Sequence, residues 1–473
     1  MKILIITDKF ILGGLESQII GYVNHLSSLG HELYLAVGDG DRKYIANSGF
    51  KDVEYLGELS NKLNSCEFIK IIENVRRCIS EWEIDVIHTH PFISHIIGGF
   101  AAKLEKKMHV ISLHGPASIP NYFGYIYILL FKYIILPSAE KILCVSEETR
   151  DLLPLSLLKK DKLLICRNAV DVHSFIPSEN TTQKLSLYGQ WVFISRLDEE
   201  KSTGLIDFAI KAKSIGITGL TVIGDGPYKV DLMLKLNELS LSDFVELKPA
   251  SLDIKSNIHK YSGVAGMGRV ILEACASGKP AFLVGYDGVK GAVQTTLLLH
   301  ARRENYSGRG LDNISAEEMR SDLNTTFHEG NLKYNRCYIY KYANEANVWG
   351  TFINELTKAN ITEEILLVDL FVNLKKSNDY FEFFNSNHLL LKLSEIIYVQ
   401  YESLSLQQRQ LLPLINSMSI NNNDVLIEDY KKQLKQAREY IEDKEIYIAK
   451  LKAELQKIMS VRDIDSSVIV NNP

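Results

Sequence analysis

The sequence predicts an α/β protein with two doubly wound domains, followed by a helical C-terminal extension that contains a coiled coil. Short apolar runs alternate with amphipathic helical patterns in residues 1–180, and the same alternation returns in residues 186–360. A polar stretch at residues 177–183 separates the two regions and is typical of a linker. The sequence after residue 360 is rich in leucine and keeps a helical periodicity, which predicts the extension.

The composition indicates a reduced, intracellular protein. With 473 residues, of which 46% are hydrophobic, the chain is long enough for two or three domains with real cores. A net charge of −5 argues against a nucleic-acid partner bound through overall charge. The six cysteines lack the spacing of a metal site or a redox motif. Because the N-terminus predicts a strand rather than a signal peptide and no run is long enough to span a membrane, we expect a cytoplasmic protein.

The segment 266–280 has the pattern of a glycine loop that opens a helix. Gly266 and Gly268 would let the backbone approach a ligand closely, and a helix N-terminus favours a phosphate. Glu273 lies about one and a half turns inside this helix and could accept hydrogen bonds from ribose hydroxyls. Gly278 and a following proline would end the helix. Taken alone, the segment is equally compatible with an ordinary amphipathic helix after a loop.

A second cluster of polar residues follows the predicted strand at residues 191–194. Arg196 could offer a planar fork to a diphosphate, and Lys201 could add a point charge to the same group. The alternative is a solvated surface pair balanced by the acidic residues 198–200. A further predicted strand ends in a tight turn that begins at Gly224. Cations and glycines at the ends of parallel strands are typical of a ligand site in an open sheet.

Together these motifs resemble the retaining GT-B glycosyltransferases of glycosyltransferase family 4, whose fold pairs two Rossmann-like domains across a cleft. The resemblance covers residues 1–360. Its motifs occur in the order of the family at residues 13–16, 85–90, 112–115, 142–147, 167–171, 196–201, 224–227 and 266–273. Each motif is weak alone, and their common order is what carries the resemblance.

The resemblance implies a role for each matching residue and a UDP- or GDP-sugar as donor, with no cofactor and no metal. The implied catalytic residues are Arg196, Lys201 and His114. The implied donor-binding residues are Gly13, Gly14, Gly224, Gly266, Gly268, Arg269 and Glu273.

The sequence departs from the family pattern at Ala265, where a glutamate normally contacts the donor sugar. One explanation is that Arg269 reshapes the sugar pocket of an active enzyme. Another is that the domain has lost catalysis and serves as a scaffold. A third interpretation is a different GT-B chemistry, such as nucleotide-sugar epimerisation.

Two further segments allow two interpretations each. Residues 122–136 are apolar and aromatic, which predicts either a helix buried in the first domain or a helix at a membrane surface. His88 and His90 share one face of a strand end. Without a nearby Cys or acidic partner in sequence, we expect them to line the acceptor side of the cleft rather than to bind a metal.

The C-terminal quarter predicts helices and an association surface. Residues 361–420 are helical in pattern, residues 424–459 form a heptad seam, and residues 460–473 are typical of a flexible tail. The seam consists of Ile427, Tyr430, Leu434, Ala437, Ile441, Lys444, Ile448, Leu451, Leu455 and Ile458. We expect this coiled coil to join copies of the chain or to bind a partner glycosyltransferase.

The resulting expectation is a glycosyltransferase that uses a nucleotide diphosphate sugar. The acceptor would be a saccharide or a lipid-linked saccharide, transfer would retain the anomeric configuration, and the product would belong to cell-surface polysaccharide. We expect the protein in the cytoplasm, with peripheral contact at the inner face of the membrane as a second expectation.

Overall fold

The computed structural model describes residues 1–377, 380–386, 389 and 393, apart from residues 12, 120–122, 178–185, 252–254, 256–257 and 363–364. Both predicted sheets lie in one compact unit, Met1–Ser394, and a second unit covers Glu395–Pro473. Most of the predicted linker, the extension beyond residue 393, the coiled coil at 424–459 and the tail at 460–473 lie outside the described residues.

The first sheet has seven parallel strands in the order β3-β2-β1-β4-β5-β6-β7. Its strands are β1 (Lys2–Phe10), β2 (Glu32–Gly40), β3 (Val53–Tyr55), β4 (Val86–Thr89), β5 (Met108–Leu113), β6 (Lys141–Cys144) and β7 (Leu163–Ile165). The apolar run at the start of β1 is completely buried, as expected of a strand covered on both faces. The strand order reverses between β1 and β4, which is where open α/β sheets bind ligands.

The second sheet has six strands in the order β10-β9-β8-β11-β12-β13, and only its edge pair β12–β13 is antiparallel among the described strands. Its strands are β8 (Gln190–Ile194), β9 (Gly219–Ile223), β10 (Val245–Lys248), β11 (Gly263–Gly266), β12 (Ala281–Val284) and β13 (Val289–Ala292). Val192 packs into one hydrophobic core, whereas Trp191 and Phe193 pack into another. Because successive side chains of a strand point to opposite faces, both faces of this sheet are covered.

The described helices connect the strands and complete the layers. They are α1 (Gly14–Ser28), α2 (Arg42–Ala46), α3 (Ser65–Glu81), α4 (Ile93–Leu104), α5 (Tyr125–Leu130), α6 (Leu136–Ser138), α7 (Glu147–Asp151), α8 (Glu199–Ser214), α9 (Lys229–Glu238), α10 (Arg269–Ala276), α11 (Thr295–Ala301), α12 (Ala316–Thr325), α13 (Glu329–Tyr342), α14 (Glu345–Leu356) and α15 (Ile365–Ser377). The two doubly wound sheets agree with the predicted GT-B architecture.

The chain returns from the second sheet to the first through α14. Trp349 and Phe352 of this helix pack against Tyr22 of α1. Their ring centroids lie 5.1 and 5.8 Å from the ring centroid of Tyr22. The backbone of Val170, ahead of the linker, exchanges hydrogen bonds with Ala343 and Glu345 at the start of the crossing. The predicted return of the last helices to the first domain is therefore present.

The described part of the apolar segment 122–136 is mostly buried, as the first of its two interpretations predicted. Tyr127, Leu130, Phe131 and Ile135 are each at most 1% exposed. The described side chains of this segment therefore belong mainly to the core of the first sheet and not to a membrane-facing surface. Among the described helices, none combines the length and the hydropathy that a membrane span needs.

The described part of the extension is fastened to the first sheet. Lys103 and Glu140 form a buried ion pair at 2.6 Å, and both groups also bind the backbone of Thr362 ahead of α15. Beyond α15, Phe383 stacks on Phe68 of α3 with ring centroids 3.8 Å apart. The predicted helical pattern after residue 360 is therefore present in α15, which lies against the first sheet's helices α3 and α4.

Two helical glycines should respond to alanine with opposite signs. At Gly350 in α14 a Cβ has open space, so we expect Gly350→Ala to stabilise the protein by up to about 1 kcal/mol through helix propensity. At Gly204 in α8 a Cβ would overlap the carbonyl oxygen of Gly285. We expect Gly204→Ala to destabilise by about 1–3 kcal/mol through overpacking. Urea unfolding of both variants checks this, and equal shifts would contradict the packing at Gly204.

Candidate functional site

The predicted site residues lie at the carboxyl ends of strands in both sheets. Gly13 and Gly14 follow β1, and His114 follows β5 of the first sheet. In the second sheet Arg196 follows β8 and Gly224 follows β9. The loop from β11 to α10 adds the remaining glycines, Arg269 and Glu273. The carboxyl edge is where open parallel sheets bind ligands.

A hydrogen-bonded contact between α1 and α10 joins the two carboxyl edges. Nη1 of Arg269 donates to Oε1 of Gln18 at 3.2 Å, and the same oxygen accepts the backbone N–H of Ala169 at 3.1 Å. The predicted donor-binding helix therefore faces the glycine loop of the first sheet. Gln18 itself was not singled out from the sequence.

Arg196 and Lys201 converge on the carboxylate of Asp198. Nε of Arg196 lies 2.9 Å from Oδ1, and Nζ of Lys201 lies 3.6 Å from Oδ2. The Arg196 side chain is 57% exposed, so its pairing with Asp198 contributes little to stability. The two cations are thus close enough to bind one anionic group, and in this structure that group is the Asp198 carboxylate.

The Gly224 turn supports the loop that carries these cations. A Cβ on Gly224 would overlap the carbonyl oxygen of Ser195, which precedes Arg196. The N–H of Leu197 donates to the carbonyl oxygen of Asp225 at 2.9 Å. Glycine is therefore needed here for close backbone approach to the loop that carries the two cations.

The loop before α10 has the backbone conformation that its glycines predicted. Gly266 has a φ of 155° and Gly268 a φ of 68°, values that favour glycine. Gly268 is the N-cap of α10, and no side chain caps the helix. The N-terminal N–H groups of α10 are therefore not satisfied by a capping side chain, as an anion site at a helix N-terminus requires.

Glu273 is held by its own helix. Nε of Arg269 donates to Oε1 of Glu273 at 2.7 Å, and the two side chains are only 15% and 8% exposed. Burial raises the pKa of the nearby carboxyl of Glu345, and the positive charge of Arg269 opposes this increase. Arg269 is thus the centre of a charge cluster at the junction of the sheets.

Ala265, the position that departs from the family pattern, belongs to the core. It lies in β11, is completely buried, and pairs in register with Phe193 and Phe282. Its hydrophobic cluster also includes Trp191. A carboxylate at this position would be surrounded by aromatic rings, so the missing glutamate leaves an apolar environment rather than an empty polar pocket.

Glu16 brings a carboxylate to the glycine loop. A Cβ on Gly13 would lie 2.7 Å from Oε2 of Glu16, so the glycine leaves room for this side chain. Burial raises the pKa of the Glu16 carboxyl to about 7, and the charge of Arg196 from the second sheet acts in the opposite direction. The sequence placed Glu16 in the Gly13-Gly14 motif without a role. The position next to two glycines was the only signal available.

His114 belongs to a buried cluster of histidines. Its Nε2 lies 2.8 Å from Nδ1 of His90, and Nε2 of His88 lies 2.7 Å from Oγ of Ser112. Thr89 links His95 and His109 through its Oγ1 at 2.9 Å from each ring. In the described part of the chain no three His, Cys, Asp or Glu side chains are placed to hold a metal ion.

A small cavity lies beside His114. The centre of a water-sized sphere can move within about 20 Å³ of this cavity, so the cavity has room for about one water. Four of its lining residues carry a buried polar atom without a hydrogen-bond partner among the described residues: Tyr22 (Oη), His88 (Nδ1), His90 (Nε2) and Trp349 (Nε1).

The buried histidines should make the protein acid-sensitive. Burial lowers the pKa of all five, to about 3 for His88 and about 4 for His114, and well below 6.5 for His90, His95 and His109. Below pH 6.5 these histidines bind protons in the unfolded chain, whereas in the folded protein they stay neutral until the pH is much lower. The free energy of unfolding should therefore fall as the pH drops, by up to about 1.4 kcal/mol per pH unit for each histidine. Burial also raises the pKa of several carboxyls, which offsets part of this fall in stability: those of Asp8, Glu16, Glu304 and Glu345.

Urea unfolding between about pH 7.5 and about pH 5.5 measures this dependence. In His95→Phe, which removes one of these histidines, the slope against pH should decrease by up to about 1.4 kcal/mol per pH unit. Stability that does not change across this range would contradict a neutral, buried cluster.

The N-terminal part of the chain matches a known family. Residues 12–174 match the family described as Glycosyltransferase Family 4. The chain has no match among curated protein sequences.

Solved structures share the fold over most of the chain. HepE of Anabaena, solved with UDP, is 17% identical with a TM-score of 0.58, and the match covers 76% of this chain and 100% of HepE. A glycosyltransferase of Rickettsia africae is 16% identical with a TM-score of 0.56, over 80% of this chain and 99% of that one. WaaG, a glycosyltransferase involved in lipopolysaccharide biosynthesis, is 13% identical with a TM-score of 0.52, over 75% and 100%.

Because the sequence identities are only 13–17%, the similarity to these structures establishes the fold alone. The resemblance expected from the sequence motifs is confirmed: the chain has the GT-B fold of glycosyltransferases, and its residues 12–174 match glycosyltransferase family 4.

Proposed function

We propose that the chain is a retaining glycosyltransferase that moves a sugar from a UDP- or GDP-sugar to a saccharide or lipid-linked acceptor. The observation that carries the proposal is the convergence of Arg196 and Lys201 on one carboxylate at the edge of the second sheet. Two cations that already share an anion are arranged to receive a diphosphate. The same edge presents the N-terminus of α10, a second group that favours phosphate.

The two cations would also act on the chemical step. As the bond between the sugar and the diphosphate breaks, negative charge develops on the departing diphosphate. Arg196 and Lys201 would bind this charge more strongly in the transition state than in the bound donor, which lowers the barrier. We expect this pair to neutralise the diphosphate without a resident metal ion or another cofactor.

Glu273 would bind the ribose and Arg269 would orient it. Arg269 contacts Oε1 of Glu273, so Oε2 is the oxygen that a ribose hydroxyl would reach. Gly13 and Gly14 would let the first loop lie against the donor, with Glu16 behind them. His114 would contact the sugar from the first sheet, and the acceptor would bind on that side.

Proteins of the same fold are consistent with this donor class. HepE of Anabaena has been solved with UDP and with UDP-glucose. WaaG is involved in lipopolysaccharide biosynthesis, and this supports a role of the present chain in cell-surface polysaccharide. Work at an inner membrane surface would suit a lipid-linked acceptor, although most of the described side chains of residues 126–136 are buried.

A non-catalytic scaffold is the second candidate function, and two observations favour it. Ala265 lies in an apolar core where the family has a sugar-binding glutamate. Two residues predicted to bind the donor already have partners within the chain: Arg196 pairs with Asp198, and Glu273 pairs with Arg269. In this alternative the GT-B domains would bind nucleotide or a partner transferase without turnover, and residues 424–459 would assemble the complex.

Donor binding is tested by thermal shift of the purified chain with UDP, GDP and their common sugar conjugates. We expect one nucleotide to raise the melting temperature, and Glu273→Ala to reduce that increase. If no nucleotide stabilises the wild type, the transferase proposal fails and the scaffold is favoured.

Turnover is tested with the donor that binds. Arg196→Ala and Lys201→Ala should each lower kcat by about 100-fold or more through lost stabilisation of charge on the leaving group. Lys213→Ala is the matched control, because Lys213 lies at the far end of α8 and binds the backbone of Ser240. Near-normal rates in both site variants would contradict their catalytic role.

The proposed association through residues 424–459 is tested by deleting residues 424–473. Light scattering should give a lower oligomeric mass for the truncated chain, because the heptad seam would be lost. Its melting temperature should stay close to that of the full chain. An unchanged mass would contradict self-association and leave a partner glycosyltransferase as the expected ligand of the seam.

A further inference from the structure

The hydrogen bond between His90 and His114 requires the two rings to have different roles. Nδ1 of His90 lies 2.8 Å from Nε2 of His114, and the rings stack with centroids 5.0 Å apart at 26°. Two neutral imidazoles can share such a bond only if one nitrogen carries a proton and the other offers a lone pair. Which ring donates decides which nitrogen of His114 is left to carry its proton.

The environment of His90 identifies the donor. Its Nε2 is buried without a hydrogen-bond partner among the described residues, and the side chain is 3% exposed. A buried N–H without an acceptor is rarer in proteins than an acceptor without a donor. The proton of His90 therefore belongs on Nδ1, where it has an acceptor, and Nε2 keeps its lone pair.

We propose that His90 is a positioning residue that donates Nδ1–H to Nε2 of His114 and thereby holds His114 as the neutral tautomer with its proton on Nδ1. His114 then offers a ligand an N–H hydrogen bond and does not act as a base through Nε2. The part of this proposal that concerns the donor sugar rests on the proposed transferase function. The tautomer itself does not depend on that function.

The backbone around His90 holds the ring in place. The hydroxyl of Ser94 donates to the carbonyl oxygen of His90. The backbone N–H groups of Ile93 and Ser94 both donate to the buried carboxylate of Asp8, at 2.9 and 2.8 Å. The ring centroid of His88 lies 4.6 Å from that of His90. A ring fixed in this way can fix its neighbour.

The chain carries a matched control for His90. His95 is also completely buried and hydrogen-bonds through Nδ1, but its partner is the hydroxyl of Thr89 and not His114. His90→Phe and His95→Phe therefore make the same substitution in the same histidine cluster. His90→Asn is the rescue variant, because its side-chain amide can donate from near the position of Nδ1.

The tautomer is measured by proton–nitrogen correlation NMR on the full chain labelled with ¹⁵N-histidine, with His114→Gln to assign the ring. We expect protonated Nδ1 and bare Nε2 in the wild type, in His95→Phe and in His90→Asn. In His90→Phe the proton should redistribute to Nε2. Bare Nδ1 in the wild type, or an unchanged tautomer in His90→Phe, would overturn the proposal. If His90→Phe does not fold, the wild type and His90→Asn still decide the tautomer.

Turnover with the UDP- or GDP-sugar that binds tests the positioning role. His90→Phe should lower kcat/KM by about tenfold or more, as loss of an orienting partner does. His90→Asn should recover most of this loss, and His95→Phe should stay within about twofold of the wild type. A changed tautomer with unchanged kcat/KM would refute the positioning role. If the wild type turns over no sugar nucleotide, the transferase function fails, while the NMR result for His90 stands by itself.

Discussion

The side-chain oxygen of Gln18 is the point on which the geometry of the cleft depends. It accepts hydrogen bonds from the backbone of Ala169, at the end of the first sheet, and from Arg269, at the start of α10. Arg269 in turn binds Glu273. One chain of hydrogen bonds therefore runs from α1 to the carboxylate predicted to bind ribose. Because hydrogen bonds to a charged group are strong and directional, this contact holds the start of α10 against α1.

The return of α14 to the first sheet reinforces that contact. Trp349 and Phe352 fill the space beside Tyr22, one turn along α1 from Gln18. The carboxylate of Glu345, at the start of α14, lies over Gly21, where any larger side chain would displace it. Polar and apolar contacts thus hold the same stretch of α1. This helix of the first sheet therefore packs against residues that follow the second sheet as well as against α10.

Much of the fold could be predicted because strands and turns are local signals. The apolar runs of β8 and β9 and the glycines around residue 266 stand where the sequence placed them. The pairs that shape the site are not local. Arg269 and Gln18 are 251 residues apart in sequence, and His90 and His114 are 24 apart. No periodicity connects such positions, so the sequence named His90, His114 and Arg269 but neither paired the two histidines nor pointed to Gln18.

The sequence also could not predict the direction in which individual side chains point. Asp198 was one of three acidic residues after Arg196, and only the fold distinguishes the one that both cations share. Ala265 was known to stand at the position of a family glutamate. That its side chain packs with Phe193 and Phe282 in an apolar core follows from the register of β11.

The internal partners of the site differ in how readily a ligand could replace them. Asp198 pairs with a side chain that is 57% exposed, and exposed pairs are worth at most about 1 kcal/mol. A diphosphate carries more charge than one carboxylate and would displace Asp198 at little cost. Arg269 and Glu273 are 15% and 8% exposed, and leaving one charge of a buried pair without its partner costs about 3–5 kcal/mol. A ribose hydroxyl would therefore bind Glu273 through Oε2 while Arg269 keeps Oε1. The phosphate subsite would then exchange its partner on binding, whereas the ribose subsite would keep its own.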